Sequence, residues 1–237
     1  MDRPDTVRTL FRRIVAENPD RVALIDGETQ YTYMDLARLS SAYARLFRER
    51  LSLLPGHILL AWLDNGPEFI ASFLSAAEIG AILFPLNIHW RPPELRWFLD
   101  RLPVAGVVTK QSLRATWGVL ADPISPARVV AVDDPTVHAW FQQPPAATPA
   151  EEAMSPLSPE QPVVFFSSSG STGAPKIVPR SHRNMVEGTI GKARALGITA
   201  GDRFLSIVPF YHANGLDNSL TLPLLSGATA VLQSDFV

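Results

Sequence analysis

The sequence predicts an α/β fold in which mainly parallel sheets are flanked by helices. Short apolar runs rich in β-branched and aromatic residues alternate with segments whose apolar residues have helical spacing. Strands separated by helices are typical of βαβ units, which place parallel strands side by side and helices on the sheet faces. Apolar residues make up 46% of the 237 residues, which is enough to fill a packed core.

Residues 1–141 are predicted to form a first α/β subdomain. Two β-type runs flank Asp26-Gly27, which is a strong signal for a tight hairpin turn, and a long amphipathic helix follows the hairpin. The other predicted elements are helices at residues 6–16, 67–80, 92–102 and 112–120 and strands at residues 57–63, 81–86, 104–109 and 128–132.

Six prolines between residues 142 and 162 predict an exposed connector without regular structure. We expect a subdomain boundary at this connector, with residues 163–237 forming the start of a second, incomplete α/β subdomain. Its predicted elements are strands at residues 163–166, 203–208 and 228–232, an extended segment at 176–180, a helix at 181–197 and a helix that ends at 225.

The clearest functional signal is a run of small hydroxyl residues and glycines that follows a buried strand and ends in Pro175-Lys176. Glycine lets the backbone turn tightly and approach a ligand closely, while backbone N–H groups and hydroxyls donate hydrogen bonds. The lysine adds a mobile positive charge, so the run suits a polyphosphate. The predicted phosphate-binding residues are Ser168, Ser169, Gly170, Ser171, Thr172, Gly173 and Lys176.

The run is not a Walker P-loop. That motif has Gly directly before Lys and opens a helix, whereas here Pro175 precedes Lys176 and Pro179 would break a helix entered there. The lysine is therefore expected on extended chain. A flexible Ser/Gly linker is the alternative, but a linker has no need of a terminal Pro-Lys or of an adjacent apolar strand.

His212 is the second candidate site residue. It follows the predicted strand at residues 203–208 and shares a polar break with Asn214 and Gly215. Ligands of open α/β sheets bind at the carboxyl ends of strands, and both His212 and the phosphate run are predicted to lie at such ends. The residues alone leave two interpretations open: a histidine that faces a ligand, or a structural or helix-capping histidine.

Other polar residues admit simpler interpretations. We interpret His182 as structural, at the exit of the phosphate run. Arg180 and Arg183 either add positive charge near the phosphates or are solvated surface groups. Asp133 and Asp134, which precede a proline, are turn residues rather than a metal-binding pair.

Composition excludes several classes of protein. A net charge of −2 gives no general attraction to nucleic acid or to an anionic membrane. The absence of cysteine excludes disulfides, thiolate catalysis and thiolate zinc sites. No apolar stretch approaches the roughly 20 residues of a membrane helix, and the amino terminus lacks an apolar signal segment. The expected location is the cytoplasm.

The run from Ser168 to Lys176 resembles the phosphate-loop signature of the adenylate-forming superfamily, which contains acyl- and aryl-CoA synthetases, luciferases and nonribosomal peptide synthetase adenylation domains. Residues 31–36, 76–87 and 208–215 also resemble family segments. The resemblance covers essentially the whole chain, but only the first part of the family's catalytic unit. It implies the first α/β subdomain and part of the second of such an enzyme's N-terminal domain.

The resemblance also implies a reaction. A carboxylic acid would react with ATP, with Mg²⁺ present, to give an acyl-adenylate, and a thiol of CoA or of a carrier protein's phosphopantetheine would then take the acyl group. The phosphate loop would hold the β- and γ-phosphates, with Lys176 catalytic. His212, also catalytic, would gate or orient the carboxylate, and Asn214 and Gly215 would line its pocket.

Two departures from the family pattern affect this expectation. Ile177 stands where the family often has glycine. The sequence Pro-Lys-Ile-Val-Pro-Arg-Ser-His more closely resembles that of members that activate aryl acids, which implies an aromatic or short carboxylic acid as substrate. A later Tyr-Gly-x-Thr-Glu passage, a ribose-binding Asp and a C-terminal domain with a catalytic lysine are not found. The chain alone is therefore expected to be incomplete and inactive.

Three interpretations of function compete at this point. The first is the N-terminal part of an acid–thiol ligase. The second is another ATP-using enzyme with a convergent loop, such as a kinase, which the missing Walker spacing disfavours. The third is a non-catalytic remnant that acts as a nucleotide-binding or interaction module.

Overall fold

The computed structural model describes residues 6–114, 128–142, 156–168 and 175–233. The helices are α1 Val7–Glu17, α2 Tyr33–Leu51, α3 Pro67–Ile79, α4 Pro92–Leu99, α5 Pro135–Phe141, α6 His182–Leu196 and α7 Leu222–Leu224, with a π-helix at Gly215–Thr221. The strands are β1 Val22–Asp26, β2 Thr29–Thr32, β3 Ile58–Trp62, β4 Ile82–Pro85, β5 Val104–Thr109, β6 Val129–Ala131, β7 Pro162–Ser168, β8 Lys176–Ser181, β9 Arg203–Ser206 and β10 Thr229–Leu232.

The described strands form two mainly parallel sheets, so the predicted fold class is confirmed. The larger sheet has the order β6-β5-β3-β4-β7-β8 and is parallel except for the antiparallel β7–β8 pair. The smaller sheet has the order β2-β1-β10-β9, and only the β1–β2 hairpin in it is antiparallel. Parallel strands need crossover connections, which the intervening helices supply.

The larger sheet is covered on both faces. Alternate side chains of β3 point to opposite faces, and all five of its residues are buried. Leu59 and Ala61 belong to one apolar cluster, which also contains residues of α1, α2, α3 and α6. Leu60 and Trp62 belong to a second cluster, formed mainly with β4 and α4. Burial on both faces explains why the sequence shows β3 as a continuous apolar run.

In both sheets, strands that precede the proline-rich segment in the sequence pair with strands that follow it. β7 follows this segment and pairs with β4, while β1 pairs with β10. Residues 143–155 lie outside the described part, and residues 156–161 contain no helix or strand. The subdomain boundary at 142–162 stays a prediction about domain organisation.

Some predicted elements differ in extent or type. Residues 111–114 are helical, and the remainder of the helix predicted at 112–120 lies outside the described residues. The helix predicted to end at residue 225 contains a π-helical segment, which periodicity does not reveal. The short helix α5 was not predicted, and its weak apolar pattern is the reason, since only Trp140 in it is buried.

The turn interpretation of Asp134 is supported by the structure. Its side chain accepts hydrogen bonds from the Thr136 hydroxyl and backbone N–H and so caps the start of α5. The Thr136 hydroxyl bond, followed by the backbone bond, holds the pKa of the Asp134 carboxyl below its usual value, because both bonds favour the ionised form.

Tyr33 connects the amino-terminal part of the chain to the turn before β10. Its side chain is fully buried at the start of α2, where Thr32 and Asp35 form a capping box. The phenol oxygen lies 2.7 Å from the carbonyl oxygen of Ala228 and 3.1 Å from that of Leu224. Burial raises the pKa of the phenol, so it stays a proton donor at any ordinary pH.

We expect Tyr33→Phe to lower the free energy of unfolding by about 1–3 kcal/mol, because it leaves buried carbonyl oxygens without their donor. Urea unfolding of the two proteins measures the difference. Tyr31→Phe is the matched control, since Tyr31 is only half-buried. An equal loss in both variants would contradict the role given to the Tyr33 hydroxyl.

Candidate active site

The two described ends of the predicted phosphate loop, Ser168 and Lys176, lie at the carboxyl edge of the larger sheet. β3, β4 and β7 are neighbours and parallel, so their carboxyl ends meet at this edge. Ser168 ends β7, Lys176 begins β8, and the two residues are paired across the hairpin. Both are exposed, whereas residues 169–174 between them lie outside the described part. The structure thus brings Ser168 and Lys176 together at the predicted edge.

Lys176 lies on extended chain, as the two prolines around it predict. β8 runs antiparallel to β7 as far as Ser181, whose side chain then caps α6 by accepting a hydrogen bond from the Asn184 backbone N–H at 3.2 Å. A Walker lysine would instead lie at the start of a helix. Lys176 is therefore the first residue of a strand, and its positive charge lies on a side chain that does not start a helix.

Asn65, in the loop between β3 and α3, holds the His212 segment at the same edge. Its side-chain amide donates to the carbonyl oxygen of Val208 at 3.0 Å, and its side-chain oxygen accepts from the backbone N–H of Phe210 at 2.7 Å. The Phe210 ring is fully buried and lies 5.3 Å from the Phe69 ring. The loop after β9 of the smaller sheet is thereby fixed to the larger sheet.

His212 is exposed in this loop, and its hydrogen bonds to other described residues use only its backbone. Its N–H donates to the carbonyl oxygen of Pro209 at 3.0 Å, and its carbonyl oxygen accepts from Leu216 N–H at 2.9 Å. The imidazole lies 4.6 Å from the Tyr211 ring and has no hydrogen bond within the described part. The role of His212 at a ligand stays a prediction.

Gly215 begins the π-helix where two backbone segments approach closely. A Cβ atom at this position would lie 2.1 Å from the carbonyl oxygen of Pro209, so only glycine fits without displacing the His212 loop. Asn214 is exposed, and its side-chain oxygen accepts from the Asn218 amide at 2.5 Å. π-Helical turns occur frequently at functional sites, and this one follows directly on the predicted pocket residues.

Three residues near the loop have structural partners. His182 is fully buried, and its Nδ1 accepts from Val7 N–H at 3.3 Å, which connects the starts of α6 and α1 and supports the structural interpretation. Arg180 forms an ion pair with Asp217 at 3.1 Å. Arg183 pairs with Glu160 and, at 3.8 Å, with Glu187.

The described residues differ in how well they fit ATP and magnesium. An exposed serine hydroxyl and a lysine at the mouth of a hairpin suit phosphate oxygens. No group of three or more His, Asp or Glu side chains that could hold a metal ion occurs in the described ranges. These ranges also contain no helix both long and apolar enough to span a membrane.

Comparison with known proteins identifies the family to which this fold belongs. Residues 11–237 match the family described as AMP-binding enzyme, and the chain belongs to this family. It is 31% identical over 257 residues to 4-coumarate–CoA ligase 1 of Oryza sativa subsp. japonica, covering 97% of this chain and 43% of that protein. Indoleacetate–CoA ligase of Aromatoleum aromaticum is 27% identical, with 92% and 43% covered.

Solved structures agree with this assignment. The Klebsiella oxytoca NpsA N-terminal subdomain, in complex with 3-hydroxybenzoyl-AMSN, is similar with a TM-score of 0.78 and 25% identity, covering 98% of this chain and 54% of that one. The N-terminal domain of FACL13 from Mycobacterium tuberculosis has the same fold, with a TM-score of 0.85, 21% identity, and 98% and 58% covered. The chain spans less than half the length of the curated relatives named above.

Proposed function

We propose that the chain is the N-terminal part of an ATP-dependent acid–thiol ligase, which activates a carboxylic acid as an acyl-adenylate and passes it to a thiol. The observation that carries this proposal is the meeting of two loops at one sheet edge. The β7–β8 hairpin brings Ser168 and Lys176 there, and Asn65 holds the His212 segment there. Adenylation requires a site for the phosphates of ATP and a site for the carboxylate next to each other, because the carboxylate attacks the α-phosphorus.

The chemistry needs positioning and charge neutralisation more than covalent catalysis. A carboxylate oxygen attacks the α-phosphorus of ATP, and the bond to the bridging oxygen breaks to release pyrophosphate. In our proposal the hairpin loop and Lys176 hold the β- and γ-phosphates, so the negative charge of the leaving group is neutralised. His212 orients the carboxylate, with Asn214 and Gly215 beside it.

The second half-reaction transfers the acyl group. The thiol sulfur attacks the acyl carbonyl, the carbon–oxygen bond to AMP breaks, and a thioester forms. Mg²⁺, when bound, would neutralise phosphate charge, but we assign it no ligand from the described residues. We propose that the enzyme works in the cytoplasm, where ATP and CoA are available.

We propose an aromatic or short carboxylic acid as substrate and either CoA or a carrier-protein phosphopantetheine as acceptor. The aromatic assignment is supported by the isoleucine at position 177, which resembles the sequence of members that activate aryl acids. It is also supported by relatives named as indoleacetate–, 3-hydroxybenzoate– and benzoate–CoA ligases. The carrier-protein alternative is supported by a structural neighbour described as an artificially fused adenylation–PCP di-domain.

Acid-dependent exchange of pyrophosphate into ATP tests the proposal directly. We expect exchange by the enzyme that contains these residues when an aryl acid is supplied. We expect none by residues 1–237 alone, because aligning the α-phosphorus with a carboxylate needs more contacts than phosphate donors provide. Exchange by the isolated chain would contradict the second expectation. A nucleotide-binding module would bind ATP in both forms without any acid-dependent exchange.

A further inference from the structure

An ion-pair cluster lies beside the predicted site and connects three elements. It consists of Arg180 on β8, Asp217 in the π-helix and Lys192 on α6, and we call it the Asp217 cluster. Arg180 Nη1 and Lys192 Nζ lie 3.1 and 3.9 Å from the same carboxylate oxygen, Asp217 Oδ2. None of the three is among the predicted site residues, although positive charge near the phosphates is one interpretation of Arg180.

The cluster lies on the face of β8 that carries the predicted phosphate lysine. Side chains alternate along a strand, so Lys176 and Arg180 project from the same face. Their partners on β7 are Ser168 and Val164, and Val164 is in the apolar cluster that also contains Leu216 of the π-helix. The Arg180–Asp217 ion pair therefore connects the π-helix to the face of β8 from which Lys176 projects.

Asp217 is well shielded from solvent. Its side chain is 14% exposed, and that of Arg180 is 29% exposed. The other carboxylate oxygen, Oδ1, is inaccessible to solvent and has no hydrogen-bond partner among the described residues. A shielded carboxylate is costly unless cations compensate it, so removing Arg180 leaves the Asp217 charge poorly compensated. Removing the Asp217 charge instead removes the attraction that connects the π-helix to Arg180 on β8.

A second connection leads from the cluster into the predicted acid pocket. Lys192 Nζ donates to the Asn218 side-chain oxygen at 2.7 Å, and the Asn218 amide donates to the side-chain oxygen of Asn214. Asn214 directly precedes the π-helix and is two residues from His212. Lys192 therefore contacts Asp217 and, through Asn218, also restrains the segment assigned to the substrate carboxylate.

We propose that Arg180 and Asp217 are positioning residues that fix the His212–Gly215 segment relative to the Lys176 strand. This inference rests on the proposed adenylation reaction, because it concerns the alignment of a carboxylate with the phosphates of ATP. Misplacement of reacting groups by about 1 Å can reduce the rate by 100-fold, and the ion pair controls such a displacement.

The kinetic test uses Asp217→Asn, which keeps the size of the side chain but removes its charge. We expect kcat for acid-dependent pyrophosphate exchange to fall roughly tenfold per folded molecule, with little change in KM for ATP. Glu17→Gln is the matched control and should keep normal kinetics, since the Arg13–Glu17 pair is exposed at the end of α1. Arg180→Gln should cause the same loss, and the double variant should be no worse than either single one.

A second measurement does not depend on activity. In the 237-residue chain, Asp217→Asn should speed amide hydrogen exchange at His212 and Leu216 about tenfold, because the His212 amide bonds to Pro209 and the Leu216 amide bonds to His212. Glu17→Gln should leave them unchanged. If the unmodified enzyme shows no acid-dependent pyrophosphate exchange, the proposed function is refuted. Amide hydrogen exchange would still test whether Asp217 restrains the His212–Gly215 segment. Unchanged amide exchange, or a normal kcat per folded Asp217→Asn molecule, would overturn the positioning role.

Discussion

Replacing Lys176 by alanine is expected to reduce kcat/KM for ATP by about 100-fold in the enzyme that contains this chain. The lysine begins β8 opposite Ser168 and is exposed, so its ammonium group is available to phosphate oxygens. Removing one hydrogen-bond donor that stabilises charge in a transition state costs on the order of 10²–10³ in rate, and we expect a similar cost for Lys176. Acid-dependent pyrophosphate exchange at several ATP concentrations measures the effect.

Two comparisons make the Lys176 experiment specific. Arg38→Ala removes one positive charge from α2, where the Arg38 side chain is 75% exposed, and should leave the kinetics unchanged. Lys176→Arg keeps the charge and should retain more activity than Lys176→Ala. The urea midpoint of Lys176→Ala should match that of the unmodified protein, since substitutions of exposed residues usually change stability little. A normal rate and a normal affinity for ATP would exclude the proposed role.

The parts of the site that the sequence predicts are the locally encoded ones. Pro179 and the apolar run before the loop predict extended chain around Lys176, and β7 and β8 have that form. Ser181 is recognisable as the N-cap of α6 from the sequence, because its partner Asn184 is only three residues further along the chain. The fold class is predictable for the same reason: each βαβ unit has its own local pattern.

The connections between distant segments are not visible in any local pattern. Asn65 bonds to residues 143 and 145 positions away, and in the sequence it is only a polar residue before a helix. The pairing of Arg180 with Asp217 likewise joins β8 to the π-helix, which follows in the chain only after α6 and β9. An asparagine between a buried strand and Gly66-Pro67 is the one signal that could have drawn attention to the first connection.

The spatial relation between the two sheets has the same origin. The sequence predicts that His212 and the phosphate loop each follow a strand. It does not show that these strands belong to two different sheets, or that the carboxyl edges of the two sheets lie close together. Asn65 and the contact of Phe69 with Phe210 bring them together. The candidate site is therefore a property of tertiary packing, although most of its residues are recognisable by motif.

The second large effect is expected for His212→Ala, which should slow adenylate formation about 100-fold while changing ATP binding much less. The imidazole is exposed and makes no hydrogen bond within the described residues, so its loss removes a group that can orient a bound carboxylate. Stability should be retained, because the bonds from His212 to Pro209 and Leu216 use only its backbone. Single-turnover adenylation and equilibrium ATP binding, measured separately, give the two quantities.

His138→Ala is the matched control, since His138 is an exposed histidine on α5 outside the site and should leave both quantities unchanged. Gly215 supplies the opposite comparison: Gly215→Ala should disturb the whole loop, because its Cβ would overlap the Pro209 carbonyl. A structural histidine would make His212→Ala behave like Gly215→Ala, with a lower melting temperature and normal activity per folded molecule. A ligand-facing histidine instead gives a stable protein that binds ATP and forms the adenylate slowly, which is the result we expect.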